Sequence, residues 1–450
     1  MKVIDNVVWI ATEDGLYRAD LLKQGGFSKP ARVSEPVSAS YLMHMNDSLS
    51  LLSTFDEEHY FVNLKNKTFE PLPFPINTVN SSYYSGENDI WLASNEGLIL
   101  LQKNLFYPIT TPDQQTFTEA ITEDTVRYII YHCTMGNLYK AKNSSINGGE
   151  STRVLSLPNG YFQALAYGSK GLWAANAFSV YLIVDDKISR QWDFESHGRF
   201  IHDIVLDNKE NLWLSQAGND QVTSISSNLE VKRYPVPLKS ESVVNCVREG
   251  EKGIYVASNG ADGYLFFKSH TESAFTNISI PVDFETHGDF NVTDIVTTDS
   301  LVWLATSEGL IRYNGHSLQR LDLGDAYSHL PVKTVKVLQP GYLLFNNSFG
   351  LFRYNIATND YWRYDESNGL PSNTITTRGI YVDHHGRVWI GTSVGLALSN
   401  EPLMHDRTTL SPKFTSAKIN GVEQMFTRGL KVPFGRVLHH QHVVYFFSVG

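Results

Sequence analysis

The residues best suited to chemistry come as two near-identical octapeptides. DFESHGRF spans Asp193 to Phe200 and returns as DFETHGDF at Asp283 to Phe290. Each offers a carboxylate and an imidazole two positions apart, Glu195 with His197 and Glu285 with His287. Such groups can bind hydroxyls or a cation. They can equally be a fold device, with His and Glu holding a turn and Phe plugging a junction. Just beyond them, Asp203 and Asp294 form a second matched pair, in HDI and TDI. These two can line a pore or cap a loop. Tyr361 and Trp362, with Trp192 and Tyr327, are aromatic faces on which sugar rings stack, or which pack between sheets.

Other chemistry is hard to find. There is no G-x-S-x-G elbow, H-E-x-x-H, Walker loop or C-x-x-C pair. His384-His385 lies in a polar turn between strands. In His439-His440, with His442 nearby, strand alternation puts neighbours on opposite faces. Both groups read as solvated or structural, and neither a metal nor a cofactor is expected. No carboxylate pair can be placed at catalytic separation from spacing alone.

A repeat must position these residues. WIATEDGL at Trp9, WLASNEGL at Trp91, WLATSEGL at Trp303 and the run from Trp389 to Leu396 are copies of one unit. Looser copies start near Leu51, Tyr131, Trp173, Trp213, Tyr255 and Leu344, so successive starts lie 40 to 48 residues apart. A short apolar run with Trp, then Gly, at this period marks a β-propeller blade. The Trp anchors are expected in the core. Gly15, Gly97, Gly309 and Gly395 are expected at φ > 0 in hairpin turns. Four short strands make a blade, and blades must stack in a ring to bury both faces.

The stretch from Ser367 to Asn400, SNGLPSNTITTRGIYVDHHGRVWIGTSVGLALSN, resembles the two-component-regulator propeller repeat. The likeness lies in NGLPSN, in Asp383 with Gly386, and in VWIGT followed by GL. The run from Ile375 to Asp383 is two residues longer than its counterpart from Ile201 to Asp207, which implies a bulge near Arg378-Gly379. The resemblance implies a large extracytoplasmic sensor domain of a bacterial transmembrane receptor, without catalysis, working as a homodimer and detecting oligosaccharides or a similar nutrient cue. It implies a periplasmic location.

Anchors and resemblance together give an all-β chain. Residues 1–112 are expected to be about three last blades of a first propeller. Residues 113–402 are expected to form a β-propeller of seven four-stranded blades, and 403–450 the start of a membrane-proximal β-sandwich. The rival is one ten-bladed ring. YPITTPDQQT, from Tyr107, reads as a linker. Asn420-Gly421 reads as a hairpin turn.

Composition narrows the partners. The 450 residues carry a net charge of −10 with no basic run, which argues against nucleic acid. Cys133 and Cys246 fall three blades apart, beyond the roughly 7 Å a disulfide allows, so both are expected as buried free thiols. No apolar run of about 18 residues is present, so membrane contact is expected only through segments outside this sequence. No signal peptide precedes the first strand, and the last residues stop inside an apparent strand; the expectation is a segment of a longer chain. Against the sensor stand a propeller enzyme (a lyase or glycosidase acting on polysaccharide) and a protein-interaction scaffold.

Overall fold

The computed structural model describes residues 1–403, apart from 47–48, 73–74, 85–88, 102–103, 114–116, 135, 143–148, 158–161, 195–199, 217–220, 239–242, 260–263, 285, 287–289, 299–300 and 400–401, and also residues 416–419 and 422–425. It contains no α-helix among these residues, only a 3-10 turn at Glu366–Asn368. The chain divides into two compact units, 1–403 and 404–450.

Within the larger unit, seven consecutive sheets begin on the strands Thr118–Asp124, Ala164–Gly168, Ile201–Leu206, Val243–Gly250, Val292–Thr298, Val335–Gln339 and Ile375–Val382. We number these sheets one to seven. Each is an antiparallel meander whose first strand lies innermost, beside the first strand of the next sheet. The last strands are the exposed ones, as in KISRQWD of sheet two. Sheet seven returns to sheet one: their inner strands run parallel and pair at Ala120 and Arg378.

Side chains staple each junction. Gln163 donates to the Ile201 carbonyl, and Ser215 Oγ to Asn245 O at 3.4 Å. Asn245 Nδ2 reaches Val292 O at 2.8 Å, Thr293 Oγ1 reaches Val332 O at 3.0 Å, and Asn346 Nδ2 reaches Ile375 O at 3.3 Å. Thr376 Oγ1 reaches Thr118 O at 2.7 Å, which ties the last sheet to the first. Between sheets one and two, Tyr167 OH donates to Asp124 Oδ2 at 2.6 Å. At six of the seven junctions the acceptor is a backbone carbonyl, and between sheets one and two it is a carboxylate.

The fourth strand of sheet seven comes from elsewhere in the chain. Phe106–Ile109 pairs antiparallel with Gly395–Ser399, Phe106 opposite Ser399 and Ile109 opposite Leu396. The YPITTPDQQT run, expected as a linker, therefore starts inside a strand. Pro108 is tolerated because this strand is outermost and its missing N–H faces away from the sheet. Ring closure by a strand from before the first blade ties two distant segments together.

Three more sheets precede the ring. The first runs from Lys2–Ile4 to Ala31–Arg32, the second from Ala39–His44 to Thr68–Pro71. The third has three strands among the described residues: Val79–Tyr84, Ile90–Ser94 and Gly97–Leu101. Trp9 packs with Leu42, Leu52 and Val62, so the first sheet lies on the second. In the smaller unit Ser416–Ile419 pairs antiparallel with Val422–Met425, Ile419 opposite Val422. Asn420 and Gly421, read from the sequence as a hairpin turn, lie outside the described residues.

The repeat motif earns its places by packing. Trp9, Trp173, Trp213, Trp303 and Trp389 are buried, while Trp91 is half-buried. Gly15, Gly97, Gly309 and Gly395 have φ of 135°, 129°, 108° and 156°. At Gly309 a Cβ would sit 2.3 Å from Ser328 O, so both conformation and space require glycine. Asp383 organises its turn: Oδ1 accepts from His385 N and Arg387 N, and Oδ2 accepts from Trp389 Nε1 at 3.0 Å. Asp207 does the same for Asn211 N and Trp213 Nε1. These aspartates are fold devices.

Candidate functional site

The ring axis is filled by charge. Six of the seven inner strands each contribute one ionisable side chain to a connected group: Glu119, Asp203, Arg248, Asp294, Lys336 and Arg378. Asp203 and Asp294, the matched pair of the sequence, are brought together by Arg248 of the sheet between them. Arg248 donates to Asp203 Oδ2 through Nη1 and to Asp294 Oδ1 through Nε at 2.7 Å. Lys336 Nζ lies 3.2 Å from Asp294 Oδ2. Arg378 enters from sheet seven, with Nε 2.9 Å from Asp203 Oδ1 and Nη1 3.5 Å from Glu119 Oε1. It also donates to the His202 carbonyl.

Backbone bulges aim these side chains. In most ring sheets the inner strand carries one extra residue near its start: Ile201 faces Gln216, yet Asp203 already faces Ser215. Val292 and Asp294 repeat this against Thr306 and Ala305. In sheet seven Ile375 faces Thr392 and the next paired residue is Ile380, facing Ile390. That bulge is two residues larger, which accounts for the longer sequence run. It carries Arg378 and Gly379. A Cβ on Gly379 would lie 2.3 Å from Gly391 O and from Thr376 Oγ1, so only glycine lets the bulge fold over.

The electrostatics follow from burial and pairing. Burial opposes ionisation of Asp294, but Arg248, Lys336 and the Thr334 and Val335 donors outweigh it and hold the carboxyl down to about 2. Burial also opposes Asp203, and Arg248 and Arg378 bring it below the ordinary carboxylate value. Glu119 goes the other way: burial raises it, and Arg378 and Lys333 only partly compensate. Burial lowers Lys336, with Asp294 pulling it back up.

The chemistry open to this group is therefore limited. Asp294 Oδ2 already accepts from Thr334 Oγ1 at 2.6 Å and Val335 N at 3.1 Å besides Lys336. Its Oδ1 accepts from Arg248 and Ile295 N. A carboxylate so fully engaged is a poor base and a poor nucleophile. The groups with spare capacity are Lys336, whose side chain is 30% exposed, and Glu119.

The octapeptide residues Glu195, His197, Glu285 and His287 lie outside the described residues. Their flanks are described. Phe194 packs where sheets two and three meet, and Phe284 and Phe290 where sheets four and five meet. Phe290 sits 4.9 Å from Tyr264, ring to ring. Tyr361 and Trp362 stand on the outer strand of sheet six, Tyr361–Tyr364, three strands out from Asp203 and Asp294 on their inner strands. Tyr361 OH donates to Leu323 O at 3.0 Å, and Trp362 lies under the buried Arg353 guanidinium at 4.0 Å. The geometry does not bring these aromatics to the axial group.

Glu119, Arg248, Lys336 and Arg378 escape a column-by-column reading of the repeat. Arg248 faces Tyr255 and Lys336 faces Leu344, the column of Val205 and Val296 and not that of Asp203. The signal available was charge on an otherwise apolar inner strand, as in TVKVL.

Cys133 and Cys246 are buried free thiols. His384 Nδ1 bonds Glu123 Oε1 and its ring stacks on Tyr128 at 4.4 Å, a structural setting. No group of three metal-ligating residues occurs among the described residues. No helix among them is long and apolar enough to cross a membrane.

Fold and site define a β-propeller whose axis is closed by ion pairs. The model of the two component regulator propeller matches residues 369–393, so the chain carries that repeat. No curated protein matches the sequence. Among solved structures, virginiamycin B lyase from Staphylococcus aureus superposes with TM-score 0.54 at 13% identity, covering 65% of this chain and 97% of that one. The extracellular domain assigned to a hybrid two component system of B. thetaiotaomicron gives TM-score 0.37 at 15% identity, covering 95% and 71%. The WD40 domain of Neurospora crassa Pan2 gives 0.47 at 12%, covering 70% and 96%. The first of these shows the shared propeller fold.

Proposed function

We propose that this chain is the extracytoplasmic ligand-sensing propeller module of a bacterial two-component receptor. The observation that carries the reading is the regulator-propeller match at residues 369–393, set in a ring of like blades. The ligand is an oligosaccharide or a similar nutrient cue, and the module works as a homodimer on the periplasmic side. His197, Glu195, His287 and Glu285 are its proposed polar contacts; Tyr361 and Trp362, on an outer strand, are stacking faces only for a ligand away from the axis. Asp203 and Asp294, joined by Arg248, are its proposed axial contacts. Signalling requires that the ligand bind one arrangement of the receptor better than another.

The axial geometry favours sensing over catalysis. A glycosidase needs one carboxylic acid and one free carboxylate about 5–9.5 Å apart. Asp203 and Asp294 are instead both held ionised and saturated with donors. The test is calorimetry against a panel of oligosaccharides, with product analysis of the same mixtures. Heat without product supports sensing, and turnover overturns it. Unchanged affinity in His197→Ala and His287→Ala would remove the proposed contacts.

A further inference from the structure

Two residues beside Arg378 are left out of the ring's junction bonding, and we infer that these, Glu119 and His202, bind the hydroxyls of an uncharged sugar at the axis. At the start of each inner strand one residue stands outside the ladder, as a bulge leaves it. Glu119, His202, Asn245 and Thr293 are such residues. Gln163 and Thr334 directly precede their strands, and Thr376 lies in the enlarged bulge of sheet seven. All of them are polar. Gln163, Asn245, Thr293 and Thr376 each donate to a backbone carbonyl of the next sheet, and Thr334 donates to Asp294. Glu119 and His202 do neither. Their junctions are held by Tyr167 and Ser215 instead. Stability alone would favour an amide or a hydroxyl at these two places, as in the other sheets.

Arg378 brings the two together from sheets one and three. Its Nη1 lies 3.5 Å from Glu119 Oε1, and its Nη2 donates to the His202 carbonyl. Among the described residues the His202 imidazole has no hydrogen-bond partner, and Glu119 has no closer one than Arg378. Burial, and then the Arg378 charge, lower the His202 pKa. The ring is therefore neutral at neutral pH, one nitrogen a donor and the other an acceptor. Glu119 supplies acceptors, and Lys336, 30% exposed, supplies donors. Hydroxyl groups, which donate and accept at once, match that set. Ions match it poorly. Glu119, Asp203 and Asp294 balance Arg248, Lys336 and Arg378, so the group has no net charge to draw one in. Exposed Lys333 adds a charge that water and salt screen. His202 also follows DFESHGRF by two residues, so it continues the stretch proposed above for polar contacts. The place is read from the fold; the sugar class rests on the sensor reading.

Calorimetry with cellobiose, maltose and mannobiose, set against digalacturonate, reads the outcome. A neutral disaccharide should bind, and the acidic one more weakly. Glu119→Gln and His202→Gln place at each position the amide that sheet two carries there as Gln163. Each should keep the wild-type dichroism and weaken the neutral disaccharide about tenfold or more. Diethylpyrocarbonate labelling needs no variant: the bound disaccharide should slow modification of His202 in the wild type, read by peptide mass. Unchanged affinity in both variants, or labelling of His202 that ignores the sugar, overturns this inference and leaves the sensor reading standing. Tighter binding of digalacturonate overturns the uncharged class. Turnover, with affinity lost in both variants, keeps the site and removes sensing. Binding by none of these sugars overturns both.

Discussion

Arg378 and Asp203 belong to sheets seven and three, and their ion pair spans the ring axis with Nε 2.9 Å from Oδ1. The closing blade is thereby bonded to a blade that is not its neighbour. The pair is nearly dry, with side-chain exposures of 15% and 4%. Without Arg378, Asp203 keeps Arg248 as its cation and loses one of two charged donors, while Glu119 loses its guanidinium. Arg378→Met should cost about 1–3 kcal/mol in urea unfolding, and Arg378→Lys less, since it keeps one contact. A change within about 0.5 kcal/mol for Arg378→Met would show the cross-axis bond to be idle.

Gly379 makes that bond possible. Gly379→Ala forces a methyl group against Gly391 O and Thr376 Oγ1, so the bulge must open. The expected loss exceeds about 1 kcal/mol, and it should shrink when Arg378 is already Met, because both act on one element. Strict additivity of the two substitutions would contradict this coupling.

Acid should act on the axis in a defined window. Asp203 and Asp294 have folded values below their unfolded ones, so their stabilisation is present above roughly pH 4. It is lost as the pH falls toward about 2. Glu119 has the opposite sign: its folded value is raised, so protonating it as the pH falls from neutrality favours the folded state. The urea midpoint should hold or rise slightly on mild acidification and then drop steeply. Glu119→Gln should remove the rise and keep the drop; a rise that persists in that variant would exclude Glu119 as its source.

The turn aspartates should matter in proportion to the donors they satisfy. Asp383→Ala orphans the Trp389 indole N–H and two backbone amides, and Asp207→Ala does the same around Trp213. Each should cost about 1–3 kcal/mol, with altered tryptophan emission. Wild-type stability in both variants would mean the turns hold without their acceptor.

Cys133 and Cys246 are inside the protein, and burial pushes the Cys246 thiol up to about 12. Neither should react with a maleimide until the chain unfolds. Fast labelling of the native protein at either position would show an opening at the inner strands.

The blade unit was legible in the sequence because its causes are local. Trp389 and its counterparts read as core from their apolar runs, Gly395 as a hairpin glycine, and the enlarged bulge at Arg378-Gly379 from two surplus residues. Ring closure was not legible in the same way. Phe106–Ile109 looks like linker because its partner strand lies almost three hundred residues further on, and a proline in it is allowed only at an outer edge. The axial group was half visible. Asp203 and Asp294 share a repeat column, so the sequence pairs them. Arg248, Lys336 and Arg378 come from other columns, and only bulged strands wrapped around one axis bring those columns to the same place. Sequence thus determined the unit and its core, which depend on neighbours a few residues away. Tertiary structure decided which charges meet, because that depends on how far each inner strand is bulged before the ring closes.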